Sequence, residues 1–107
     1  MFGKEIFLNK EILIYGLGVS GKSSFQYLIK NNKITVFDDN NSLKNKINKK
    51  YFLNKNKIFK RKFDYIVISP GIDIKKSKLK KYLIKNKKKI ITELDIFYLT
   101  FTKNIKI

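Results

Sequence analysis

Residues 16–24 read GLGVSGKSS, and two kinds of phosphate chemistry can be written onto them. As G-x-G-x-x-G, with Gly16, Gly18 and Gly21, the stretch is the turn by which a strand hands a nucleotide diphosphate to the start of a helix. As G-x-x-x-x-G-K-S, with Gly16, Gly21, Lys22 and Ser23, it is the loop that cradles phosphates in nucleoside triphosphatases. The second reading requires an Asp at the end of a later apolar strand to hold Mg2+, and that strand here ends IVISPG, with Ser69 in the place. The first requires an acid about 20 residues on, at the tip of a second strand. Asp38 lies 22 residues after Gly16 and 17 after Gly21, closing ITVF.

The physical demands of the diphosphate turn match the residues in order. Gly16 permits the sharp turn, Gly18 lets the backbone approach a pyrophosphate, and Gly21 lets the helix pack closely on the strand. Amides around Val19, Ser20 and Gly21 would face the anion, assisted by the positive end of the helix dipole. Asp38 can accept hydrogen bonds from a ribose or a base. Lys22 is one lysine among many and reads as solvated. A second candidate element is the Ser69-Pro70-Gly71 loop, since ligands of open parallel sheets sit outside the carboxyl ends of the strands. Both loops also read simply as turns that end strands.

The elements that must position these residues follow from hydrophobic period. EILIYG is a continuous apolar run closed by glycine, as in a strand buried on both faces. Phe25, Leu28 and Ile29 fall on one helical face ending near KNNK, and KITVFDD is a second strand stopped by two aspartates. Strand, glycine turn, helix, strand and acid make a βαβ unit. Residues 40–62 are nearly saturated with Lys and Asn; Ser42 could cap a short helix carrying Leu43 and Ile47, and KIFK reads as a short strand. Tyr65–Ile68 form a clearer strand, ended by Ser69, Pro70 and Gly71. Leu79, Tyr82 and Leu83 lie at helical spacing. A strand through Ile91 then leads into a helical turn with Leu94, Phe97 and Tyr98, of which Leu94 and Phe97 are expected to pack. The expectation is a single small α/β domain, a Rossmann-like parallel sheet with flanking helices. MFGKEIFLNK is a short lead-in, and NIKI has the look of a further strand beginning. There is no internal repeat and no flexible linker.

Composition narrows the chemistry. The 107 residues hold neither Cys nor His, which leaves only carboxylates for a metal, and no metal role is expected. No apolar run approaches the roughly 18 to 20 residues of a membrane span, and the first residues carry charges where a signal peptide needs its apolar stretch, so a cytoplasmic location is expected. The net charge of +17 suggests polyanions, yet 24 of the 25 basic residues are Lys, whereas base readout and phosphate forks favour Arg. Lys, Asn and Ile fill about half of the chain, so the charge reads as a compositional bias spread over solvated faces. Salt-dependent, non-specific sticking to polyanions is expected, and no specific nucleic acid or membrane partner.

Taken together, LIYGLGVSGKSSFQYL, VFDD, DYIVISPGI and ITELDIFY resemble the N-terminal domain of the Mur ligases, within them the branch that adds D-glutamate. The resemblance implies a glycine loop that holds the pyrophosphate of a UDP-sugar rather than NAD. It assigns Gly16, Gly18, Val19, Ser20 and Gly21 to the loop, Asp38, Asp39 and Asn40 to the uracil side, and Ser69, Pro70 and Gly71 to the UDP-sugar. Family members often carry Thr then Arg after the acid, where this chain has Asp39 and Asn40. TELDIFY matches the family's acidic segment loosely, with Glu93 and Asp95 near its acidic positions.

The implied reaction activates the carboxylate of UDP-N-acetylmuramoyl-L-alanine as an acyl phosphate with ATP and Mg2+, and the amine of D-glutamate then forms an amide. Residues 1–104 are expected to be the UDP-substrate domain and 105–107 the start of a central ATP-binding domain. The chain alone is expected to carry no catalytic residue, to need no cofactor of its own, to meet ATP and D-glutamate only through further domains, and to be an inert monomer. Two rival readings stay open: an NAD(P)-binding regulatory domain, which shares the βαβ unit and glycine loop, and a nucleic-acid-binding module driven by charge.

Overall fold

The structure is a computed structural model that describes residues 7–40 and 47–104. Its strands are β1 (Glu11–Tyr15), β2 (Lys33–Phe37), β3 (Tyr65–Ile68) and β4 (Ile90–Ile91), and its α-helices are α1 (Val19–Leu28), α2 (Lys55–Phe59), α3 (Lys80–Lys85) and α4 (Glu93–Asn104). All strand pairings are parallel, in the order β2-β1-β3-β4. This is the expected small α/β domain with a parallel sheet and flanking helices.

Period-2 alternation along β1 builds the two cores. Ile12 and Ile14 point to one face with Ile34, Val36 and Val67, where Leu28 of α1 and Ile96 of α4 cover them. Leu13 and Tyr15 point to the other with Phe37, Ile66 and Ile68, covered by Ile58 of α2 and by Leu79, Tyr82 and Leu83 at α3. All four β1 side chains from Ile12 to Tyr15 are fully buried, so a continuous apolar run was required there. Burying each such side chain stabilises the fold by about 1.5–3 kcal/mol before chain entropy is counted.

Strand order reverses at β1: the chain moves from β1 to β2 on one side, then crosses to β3 on the other. The crevice between the ends of β1 and β3 is therefore the switch point, where an open α/β sheet parts its loops. The loops that emerge there are the two glycine-containing turns singled out from the sequence.

Three expectations need correction. KIFK is helical, not a strand: Asn54 caps α2 by accepting from the Lys57 amide at 3.0 Å, and only Ile58 is buried. A trace of extended pairing lies upstream, where Phe52 forms an isolated parallel bridge to Val36. In α4 the packing residues are Ile96 and Leu99, while Leu94 and Phe97 are 74% and 62% exposed. The lead-in is more than a lead-in at its end, since Phe7 is buried against the Tyr65 ring. Asn32 holds it there, donating to the carbonyls of Phe7 (2.9 Å) and Leu28 (3.0 Å) and accepting from the Lys10 amide (3.0 Å). The suggested helix cap at Ser42, with Leu43, lies outside the described residues, as do residues 105–107; Ile47 of that suggestion is buried in the core.

Candidate functional site

Gly16 ends β1 in the left-handed region, with φ +103°, a conformation that side chains other than glycine resist. Its amide donates to the Phe37 carbonyl at 2.9 Å, and its carbonyl accepts from Ser69 Oγ at 3.3 Å. A Cβ here would meet Ser69 Oγ at 2.6 Å, so the turn is closed both by conformation and by contact. Gly21 lies beneath it: a Cβ would fall 1.7 Å from the Gly16 carbonyl oxygen. Helix and turn touch backbone to backbone, which only glycine permits. Gly18 is the opposite case, with φ −69° and nothing within 4 Å of an added Cβ. Its face is turned to open space.

Gly18 is also the N-cap of α1, and no side chain caps that helix; its first turn holds no acid. The first intrahelical bond runs from the Lys22 amide to the Gly18 carbonyl at 3.0 Å. The preceding amides of Val19, Ser20 and Gly21 thus have no partner within the helix, and no acid in the first turn offsets the partial positive charge of the helix end. Val19 is exposed, so the ledge above these amides is accessible.

Asp38 secures the loop. One carboxylate oxygen accepts from the Leu17 amide at 2.7 Å and the other from the Asn40 amide at 2.7 Å. Each oxygen keeps a second lone pair for a ligand hydroxyl. Across the crevice, Ser69 to Ile72 form a hydrogen-bonded turn, with the Ile72 amide 3.1 Å from the Ser69 carbonyl. Gly16, Leu17, Gly18, Val19, Ser20 and Asp38 line one wall of a cavity of about 300 Å3; Ser69, Pro70, Gly71 and Ile72 line the other. A larger hollow, about 450 Å3, lies at the amino ends of the strands around Phe7, Tyr27 and Asn31, away from both glycine turns.

The structure thus gathers eight of the sequence-selected residues around one cavity, with Gly21 supporting it from below. Asp39 departs from its expected place. Its carboxylate accepts from the Tyr15 hydroxyl, which in turn meets Ser77 Oγ, and it does not line the cavity. Asn40 is exposed beside it, its amide tied to Asp38. The Lys22 side chain is solvated, as expected. Asp95 of the acidic segment is a capping residue: it accepts from the Thr92 amide at 2.9 Å while its own amide donates to Thr92 Oγ1 at 3.2 Å, a reciprocal cap of α4.

Tyr15 and Ser77 were missed by sequence reasoning. Tyr15 sits inside an apolar run that already explained itself as core, and Ser77 sits among lysines. Burial, then the bond to Asp39, pushes the Tyr15 phenol well above its ordinary pKa. It stays protonated and a donor at every physiological pH.

The glycine loop, the closing acid and the Ser-Pro-Gly turn now stand in one arrangement, and a family model matches it in sequence. The model describes the MurD-like N-terminal domain of Mur ligases and covers residues 10–92. The chain belongs to this family. Neither a curated protein nor a solved structure gives a significant match. Membership places the Mur ligase domain among the amide-forming ligases that build peptidoglycan precursors. Among the described residues of the domain, no helix is long and apolar enough to cross a membrane.

Proposed function

We propose that this Mur ligase domain grips the UDP end of UDP-N-acetylmuramoyl-L-alanine and presents its carboxylate for ATP-dependent addition of D-glutamate. The observation that carries the reading is the cavity at the switch point, where uncapped amides of α1 face the Ser69–Ile72 turn across open space above Gly18. A diphosphate seated on Val19, Ser20 and Gly21 amides would satisfy donors that the protein leaves unmatched and would meet the positive helix end. Asp38 would then offer its remaining lone pairs to the nucleoside, with Asn40 on the uracil side, and Ser69, Pro70 and Gly71 would close over the sugar side.

In this reading the domain supplies grip and orientation. The ATP and Mg2+ that form the acyl phosphate, and the D-glutamate that attacks it, are bound elsewhere in the ligase. No cofactor, nucleic acid or membrane is used by the domain itself, which works as a monomer in the cytoplasm.

The test is a ligand-observed NMR comparison of UDP-N-acetylmuramoyl-L-alanine, NADH, NADPH and ATP at about 0.2 M salt, where exposed charges are screened within roughly a nanometre. The UDP-sugar should bind and the others should not. Gly18→Val, whose side chain enters open space, should keep the fold by circular dichroism and abolish that binding. Preference for NADH or NADPH would replace the ligase reading with a cofactor-sensing one.

A further inference from the structure

A hydrogen-bond relay crosses the carboxyl edge of the sheet on the α2 and α3 side. The Leu79 amide donates to Ser77 Oγ at 2.8 Å. Ser77 Oγ meets the Tyr15 hydroxyl, which donates to Asp39 Oδ2. Because the single phenolic proton is committed to Asp39, the Ser77 hydroxyl must donate to Tyr15, and the direction of the relay is fixed. Three segments are joined: the last residue of β1 before the glycine turn, the tip beyond β2, and the loop beyond β3. The other oxygen, Asp39 Oδ1, is buried and has no hydrogen-bond partner among the described residues. Among the described residues, the phenol is the one hydrogen-bond partner of the carboxylate.

Its neighbour Asp38 already places one carboxylate on the wall of the cavity. A second one released beside it would oppose a diphosphate, since like charges a few ångströms apart in a partly desolvated site repel strongly. We infer that Tyr15 is a positioning residue whose hydroxyl, set by Ser77, holds the Asp39 carboxylate out of the nucleotide cleft and so lets an Asp occupy a position beside a bound anion. This inference rests on the reading of the cleft as a UDP site, and it adds a residue that acts on the ligand only through another side chain.

The test is a double-mutant cycle on the chain, with Tyr15→Phe, Asp39→Asn and the pair, followed by UDP binding and by urea unfolding. Tyr15→Phe should weaken UDP binding about five- to tenfold, the scale of one unit charge brought nearer an anion in a partly screened medium. The loss should shrink as salt rises. Asp39→Asn in the Tyr15→Phe background should restore binding, which mere loss of packing around the ring would not do. Ser77→Ala, which keeps the ring in place, should give a smaller loss of the same kind. Equal weakness of Tyr15→Phe and the double variant, or unchanged binding by Tyr15→Phe, would overturn the inference.

If the unsubstituted chain binds no UDP, it is the functional reading that falls, and the unfolding arm still decides the relay. Tyr15→Phe should then lower the urea midpoint and Asp39→Asn should recover part of the loss. Additive effects would show that the two residues do not act together and would overturn the inference.

Discussion

Gly21→Ala places one methyl group where the structure leaves no room for it. The new carbon would lie 1.7 Å from the Gly16 carbonyl oxygen and 2.8 Å from the Gly16 carbonyl carbon, against an ordinary contact of 3.4–4 Å. Both opposing atoms are backbone. That carbonyl is engaged by Ser69 Oγ, and the Gly16 amide by Phe37, so the turn cannot rotate aside without breaking the junction of three strands. Helix α1 must instead move off by roughly 1.7 Å to reach ordinary contact, an overpacking cost of about 1–3 kcal/mol or more. Alanine returns up to about 1 kcal/mol of helix propensity. A net loss of about 2 kcal/mol lowers the urea midpoint by roughly 1 M at the slope of a domain this size. Gly18→Ala, with open space and an ordinary φ, should change stability by less than about 1 kcal/mol. Urea unfolding followed by far-ultraviolet circular dichroism compares them directly. Equal midpoints for Gly21→Ala and the unsubstituted chain would refute the close-approach argument.

Two further effects have definite signs. Ser24 is buried and its hydroxyl has no partner among the described residues, so Ser24→Ala should stabilise the fold by about 1 kcal/mol and raise the thermal midpoint by roughly 4–8 °C; an unchanged or lower midpoint would mean that the hydroxyl is satisfied. The Tyr15 phenol is raised above its ordinary pKa of 10.0 in the folded state, so its contribution is fully present below about pH 10 and is lost as pH rises toward the folded-state value. Urea unfolding between pH 8 and 11 should show a steeper decline for the unsubstituted chain than for Tyr15→Phe, and parallel curves would contradict the shift.

What the sequence could disclose depended on how many constraints bore on each segment. The unit from Glu11 to Asp38 was legible because four independent signals agreed: a run apolar on both faces, glycines at fixed offsets, a change to helical period, and an acid closing the next strand. Residues 55–59 were not, since KNKIF buries one side chain and a single apolar contact has no period; the asparagine cap decided it. In α4 the sequence reads as the stripe of Leu94, Phe97 and Tyr98, yet Ile96 and Leu99 lie at the same helical spacing. Spacing cannot choose between them, and the reciprocal cap of Thr92 with Asp95 sets the phase that buries the second. At the cavity, glycine requirements were visible because they are properties of single residues. The route of Asp39 was not, because it depends on Tyr15 and Ser77, 24 residues before and 38 after it in the chain.

The start of α1 has no side-chain cap and no acidic residue in its first turn. For most helices such a vacancy is a standing defect, with an N-cap side chain worth about 1 kcal/mol. In the proposed reading, a bound diphosphate would complete this helix end and become a structural part supplied from outside. An anion that completes the helix binds the folded chain and not the unfolded one, and at 100 times its dissociation constant it adds about 2.7 kcal/mol to the stability of the fold. On that reading the ligand-free domain would be the less stable form, and substrate supply would set how long the protein lasts as well as how often it works.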